Sequence, residues 1–226
     1  MTGTLYGIGV GPGAPDLLTL RAVALLGRLP VLAWPAPPDG AGMARTIAAA
    51  HIPAETLEIP IRLSFRPERD DTDGAYGAAA EAIAGHLVAG RDVGVLCEGD
   101  PLFFGSFIHL LDRLSGRFAV QVVPGLSSPM AAAAMAVRPL AQLEEAVAVL
   151  PATRPDHQLE PLLNAADSAV ILKVGRHLPR LKALLARLDL LAHAVAVERA
   201  TLAGQRIAPL AEVDELSYFS LVLVRR

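Results

Sequence analysis

The chain has a single cysteine, Cys97, in 226 residues, which excludes an intrachain disulfide framework. No Cys/His group has the spacing of a zinc site, so no metal is expected. Neither sign of charge dominates: 20 basic against 23 acidic residues leave a formal net charge of −3, which offers no general attraction for nucleic acid or an anionic membrane. Long hydrophobic runs are missing too. The most apolar stretches, such as Leu126 to Val137, stop at Arg, Pro or Gly short of the roughly 18–20 residues of a membrane span. No basic segment followed by an apolar one opens the chain, so a cytoplasmic location is the expectation. There is no Gly-Lys-Ser/Thr for a P-loop and no Gly-x-Ser-x-Gly for a hydrolase nucleophile.

What the chain does have is 53% hydrophobic residues, much of it alanine, enough for one large core or two smaller ones. Short apolar strands alternate with helical spacing: strands at 5–10, 30–34, 55–61 and 92–97, helices at 17–29, 43–50 and 76–89. This rhythm predicts right-handed crossovers and a mostly parallel sheet. The charged segment 62–74 interrupts it, as a solvent-facing excursion or a lid does. Further on, strands are expected at 146–150, 168–174, 194–198, 207–210, 213–216 and 218–224, with helices at 129–136, 159–165 and 178–188. The fold class is therefore α/β, with two α/β domains, 1–123 and 124–226.

Three strand-to-loop breaks stand out. Leu5 to Val10 runs into Gly11-Pro12-Gly13-Ala14-Pro15-Asp16, and Val95-Leu96-Cys97 into Glu98-Gly99-Asp100-Pro101. Val120 to Val123 continues as Pro124-Gly125-Leu126-Ser127-Ser128. Such turns at the carboxyl ends of parallel strands are where ligands sit in open α/β sheets. The first is not a dinucleotide site: Ala14 replaces the third glycine, Pro12 and Pro15 disturb the helix start that should hold a pyrophosphate, and strand two ends in Trp34-Pro35 rather than an acid. Each loop also has a plain structural reading. Asp100 can cap a helix beginning near Leu102, Ser127 and Ser128 can cap the alanine-rich helix that follows, and Cys97 can serve as a small buried hydrophobe.

Taken in order, Gly9-Val10-Gly11-Pro12-Gly13, Glu98-Gly99-Asp100-Pro101-Leu102-Phe103-Phe104-Gly105-Ser106 and Val123-Pro124-Gly125-Leu126-Ser127-Ser128 resemble the signature loops of the tetrapyrrole methyltransferases of corrin and siroheme synthesis. Thr4-Leu5-Tyr6-Gly7, Leu17-Leu18-Thr19-Leu20, Leu150-Pro151-Ala152-Thr153, Val197 to Thr201 and Tyr218 to Leu221 are similar to the branch acting at C20 of precorrin-2. Two departures are Ala14, where the family commonly has aspartate, which passes helix capping to Asp16 or Thr19, and Phe104, where tyrosine is usual.

The resemblance implies two α/β domains with a cleft between them, a homodimer, and S-adenosylmethionine as methyl donor. It implies donor contacts at Pro12, Gly99, Asp100, Phe103, Gly105, Ser127 and Ser128, completed by Val174, Ala200 and Thr201. The implied acceptor is precorrin-2 or its cobalt-loaded form, without nucleic acid or membrane partners. Its carboxylates call for local cations, for which Arg62, Arg66, Lys173 and Arg176 are candidates. No general base is evident; Glu98 and His177 are candidates for proton removal, with ordinary polar contacts as the competing role.

Overall fold

The computed structural model describes residues 1–63 and 72–226. The chain divides into two compact units, Met1–Ser127 and Ser128–Arg226, where the sequence places the change at Pro124. The lid expectation over 62–74, and Arg66 with it, falls largely outside the described residues.

The first unit is a five-stranded parallel sheet of β1 (Thr4–Gly9), β2 (Val31–Ala36), β3 (Leu57–Arg62), β4 (Val93–Cys97) and β5 (Ala119–Val123), in the order β3-β2-β4-β1-β5. Successive strand residues point to opposite faces, and the sequence supplies apolar residues for both. Leu5, Val31, Ala33, Val93, Val95 and Cys97 face α3 (Thr72–Val88) and α4 (Ile108–Leu114). Tyr6, Ile8, Leu32, Trp34 and Leu96 face α1 (Leu20–Leu26) and α2 (Met43–Ala48). Where a helix presses closest, the strand carries glycine: a Cβ on Gly7 would lie 2.7 Å from the Phe107 ring.

Two expectations change here. Proline was expected to stop strand two at Trp34, yet β2 runs on to Ala36. Its pairing with β4 covers only Val31–Ala33, while pairing with β3 continues through Pro35 and Ala36. The missing N–H of Pro35 therefore lies where one flank of β2 has become an edge. The helix expected over 17–29 is a 3-10 turn at Pro15–Leu17 followed by α1, whose N-cap Thr19 accepts from Ala22 N–H at 3.1 Å. Thr19 thus takes over the capping role left open by Ala14.

The second unit has β6 (Val147–Pro151), β7 (Ser168–Leu172), β8 (Ala194–Glu198), β9 (Arg206–Pro209) and β10 (Ser220–Arg225), in the order β6-β7-β10-β8-β9. Only β6 and β7 pair in parallel; β10 runs antiparallel to β7 and β8, and β8 antiparallel to β9. One face is covered by α6 (Asp156–Ala165) and α7 (Leu178–Arg187) through Leu159, Leu163, Leu181, Leu184 and Leu185. On the other, Ala132 and Ala133 of α5 (Ser128–Met135) pack on Val170, Leu172, Val197, Leu221 and Leu223. The strand expected at 213–216 does not form; a 3-10 turn at Leu210–Glu212 precedes it, and Val213 is buried as core. Tyr218 and Phe219 lie before β10 as an exposed edge-to-face pair. Among the described residues no helix is long and apolar enough to cross a membrane.

At the end of β8, Glu198 ties the final approach to β10: Oε1 accepts from Ser217 N–H at 2.8 Å and Oε2 pairs with Arg206 at 3.3 Å. The Ser217 hydroxyl leads in holding its carboxyl below the ordinary value, burial opposing; the Ser217 N–H, Arg206 and Arg199 add to the lowering. A lowered carboxylate pKa stabilises the fold above the unfolded value of about 4.3, and that contribution is lost as pH falls through the folded value. Glu198→Gln is therefore expected to cost about 1–2 kcal/mol at pH 7, a gap that closes in acid when urea unfolding is followed at both pH values. A gap of the same size at every pH would contradict this.

Candidate functional site

In the first unit, β1 is followed by α1 on one face of the sheet, whereas its neighbour β4 is followed by α4 on the other. Adjacent parallel strands whose connections leave to opposite sides define the crevice where open α/β sheets bind ligands. Two of the glycine loops emerge at this point, and that after β5 beside it.

The three loops are joined backbone to backbone. Gly11 and Gly99 form an isolated antiparallel bridge, Gly99 N–H donating to Gly11 O at 2.8 Å and Gly11 N–H to Gly99 O at 3.3 Å, with Val10 N–H on Cys97 O at 2.9 Å. Gly125 approaches so closely that an added Cβ would lie 2.1 Å from Gly99 O and 2.8 Å from Gly9 Cα; one on Gly9 would lie 2.5 Å from Gly125 N. Only hydrogen fits at these positions. Behind Gly13 comes only a 3-10 turn, and the first α-helix starts at Leu20. A pyrophosphate therefore lacks the helix terminus it needs, which gives the exclusion of a dinucleotide site a physical cause.

Asp100 is the side chain that locks the junction. Its Oδ1 accepts from Leu102 N–H at 2.9 Å and its Oδ2 from Gly125 N–H at 3.1 Å. It caps no helix, because α4 starts only at Ile108; it ties the β4 loop to the β5 loop. Beyond it, Phe103 and Phe104 stand exposed with their rings edge to face at 5.1 Å, and Phe104 takes a left-handed φ of 56°. Gly105 turns the chain back so tightly that a Cβ would meet Pro101 O at 2.4 Å. Pro12 and Ser127 are half-buried and Ser128, the first residue of α5, is exposed.

Cys97 is 1% exposed, and burial pushes its thiol up to about 12; it is a core residue, not a nucleophile. Glu98 is open to solvent as a residue, but its carboxyl is crowded enough that desolvation raises its pKa, opposed by the Ala44 N–H at the start of α2.

In the second unit the predicted residues also gather at strand ends. Lys173 and Arg176 are exposed after β7, and Lys173 has a φ of 58°. Ala200 and Thr201 follow β8; Thr201 has a φ of 66°, and its N–H donates to Gln205 Oε1 at 2.8 Å. Non-glycine residues in the left-handed region cost of order 1 kcal/mol or more each and persist where the surroundings hold them, often at ligand sites. Val174 is fully buried in the core, so any ligand contact it makes is through its backbone. Burial, with Arg176 and Arg180 nearby, lowers the pKa of His177, so its imidazole is neutral at pH 7. Arg180 is engaged by Asp156 and Ala152 O.

Trp34 was read only as the end of a strand. Its role in holding the next loop comes from a partner seven residues on, Ala41 O, a contact with no local pattern. Arg62, a candidate for the acceptor, instead donates through Nη1 to Pro37 O at 2.8 Å and Gly40 O at 2.7 Å. Among the described residues no His/Cys/Asp/Glu group is placed to hold a metal.

Similar proteins lie along the whole chain. The precorrin-2 C(20)-methyltransferase of a Sinorhizobium species is 43% identical over 98% of this chain and 95% of its own. The cobalt-precorrin-2 C(20)-methyltransferase of Salmonella typhimurium is 35% identical over 100% and 98%. The crystal structure of uroporphyrin-III C-methyl transferase from Thermus thermophilus complexed with S-adenyl homocysteine superimposes with a TM-score of 0.70 at 25% identity, covering 99% of this chain and 98% of that one. The sequence profile of the Tetrapyrrole (Corrin/Porphyrin) Methylases matches residues 4–214, and with these relatives and the junction of its three glycine loops, the chain belongs to that family.

Proposed function

We propose that this protein transfers the methyl group of S-adenosylmethionine to C20 of precorrin-2 in cobalamin biosynthesis, and that it works as a homodimer. The observation that carries this reading is the 43% identity to a precorrin-2 C(20)-methyltransferase over nearly the full length of both chains. The donor is assigned to backbone groups of Pro12, Gly99 and Gly105, the Asp100 turn, Phe103, and the Ser127 and Ser128 hydroxyls; Val174, Ala200 and Thr201 are proposed as further donor contacts. A junction with no room for side chains suits a ligand read by backbone N–H and C=O groups.

The conjugated macrocycle supplies the nucleophilic carbon. The C20–CH₃ bond forms as the S–CH₃ bond breaks, the sulfonium becomes a neutral thioether, and C20 gives up its proton. What the protein must do is align the three atoms and exclude water. Glu98, with its raised pKa, and His177, neutral at pH 7, are the side chains proposed for the proton. Lys173 and Arg176 are proposed for the acceptor's carboxylates.

A second reading, the same methylation on the cobalt-loaded ring, draws on the relative at 35% identity; the macrocycle would bring the metal. Both acceptors are to be offered in parallel with S-adenosylmethionine and the products weighed by mass spectrometry. The expected result is a product one CH₂ heavier, formed faster from the metal-free acceptor. Faster turnover of the cobalt form would reverse the choice, and binding without mass gain on either would replace an enzyme with a carrier.

A further inference from the structure

The connection from β2 to α2, Pro37 to Gly42, is fixed with unusual thoroughness for a surface turn. Pro37 and Pro38 restrict its backbone. Arg62 Nη1 donates to Pro37 O and Gly40 O, the Trp34 indole N–H to Ala41 O at 2.6 Å, and the Thr46 hydroxyl and N–H to Gly42 O at 2.9 and 3.1 Å. Gly42 has a φ of 80°, and a Cβ there would meet Pro35 O at 2.7 Å. Leu63 N–H bonds Ala36 O at 2.9 Å. Yet the tip, Pro38 to Ala41, is exposed and joins no core cluster among the described residues. Two of these bonds, at Gly40 O and Ala41 O, hold the uncovered tip itself, and the rest fix its two ends; a surface that must be rigid before a ligand arrives calls for such a clamp.

Its position indicates which ligand. The proposed donor groups of this unit lie on the loops after β4, β1 and β5, one half of the sheet order. β2 pairs directly with β4, so the 37–42 turn leaves the same sheet edge beside them. The tip offers proline, glycine and alanine, with Asp39 its only charge. That charge repels acetate and propionate groups, so the tip suits the flat apolar face of a macrocycle rather than its acidic rim. We propose that the 37–42 turn is a preformed wall for the acceptor's ring face, and that Arg62 and Trp34 are positioning residues that hold it. This rests on the acceptor being a tetrapyrrole, and it takes Arg62 out of the set that binds carboxylates.

Arg62→Gln, Trp34→Phe and the double variant of the full chain test this by amide hydrogen exchange, acceptor KM, kcat and S-adenosylhomocysteine affinity. Each single variant is expected to speed exchange of the Thr46 and Leu63 amides, which are bonded to Gly42 O and Ala36 O at the two ends of the turn, about tenfold and to raise acceptor KM about five- to tenfold. Donor affinity and kcat should stay within about twofold, and the double variant should be little worse than either single one, because both bonds hold one element. Additive KM effects with unchanged exchange would make Arg62 a direct ligand and overturn the proposal. Faster exchange with unchanged KM would place the turn outside the acceptor site and overturn it too. If the wild-type protein methylates no tetrapyrrole, the assigned function and the wall fall together, whereas unchanged exchange in an active enzyme removes the clamp alone.

Discussion

Gly125→Ala is expected to abolish donor binding and methyl transfer while lowering stability by about 3 kcal/mol, a fall in Tm of about 10 °C. The added methyl would sit 2.1 Å from Gly99 O, and the obstacle is backbone, which cannot rotate away as a side-chain tip can. To make room, the β5 loop must withdraw from the β1 and β4 loops. Withdrawal breaks the Asp100–Gly125 bond as well, so the junction opens instead of adjusting. Calorimetry and titration with S-adenosylhomocysteine check the two effects separately. Gly77→Ala is the matched control: it lies in α3 with no atom of the described residues outside its own helix within 4 Å of the new methyl, and should raise stability by about 0.5–1 kcal/mol. Should Gly125→Ala bind the donor normally, the close packing of the three loops would have no bearing on the site.

Asp100→Ala is the second large effect. Two N–H groups, Leu102 and Gly125, lose a charged acceptor at once, each such bond contributing about 1.5–3 kcal/mol. Partial solvent access to Asp100 tempers that loss, so a donor affinity lower by about a hundredfold is expected, as against a complete loss for Gly125→Ala. Asparagine keeps one carbonyl oxygen but presents an NH₂ where the second oxygen was. Asp100→Asn should therefore preserve one of the two bonds and lose about tenfold. The order wild type, Asn, Ala in donor titrations is the signature of a tie between loops. If Asn and Ala are equally damaging, charge rather than the two bonds is what Asp100 contributes.

Much of the first unit was legible because its strands are short apolar runs ended by Gly and Pro, with both faces filled in alternation. The site loops were legible for the same reason: glycine and proline break the chain at three strand ends, Gly9–Gly13, Gly99–Pro101 and Pro124–Gly125. What could not be read was contact across the loops. The Asp100–Gly125 bond joins residues far apart in sequence, and Asp100 read as a donor contact or a helix cap, not as a tie between loops. Arg62 read as a candidate cation for the acceptor's carboxylates because its partners are carbonyls, which leave no trace in residue type. The mixed second sheet did leave a trace that the strand–helix rhythm obscured. β8 and β9 are separated by residues 199–205 with no helix between them, too short for a parallel crossover.

The place of β10 has a consequence for how the protein is made. The strand nearest the C-terminus, Ser220–Arg225, is the middle strand of its sheet, inserted between β7 and β8. On the ribosome, the first unit has every strand of its sheet once Val123 has emerged, and it can fold while synthesis continues. The second cannot close until residue 225 is out: β7 and β8 wait with unpaired edges facing the gap that β10 will fill. Those waiting edges are the stage of its synthesis most exposed to misassembly.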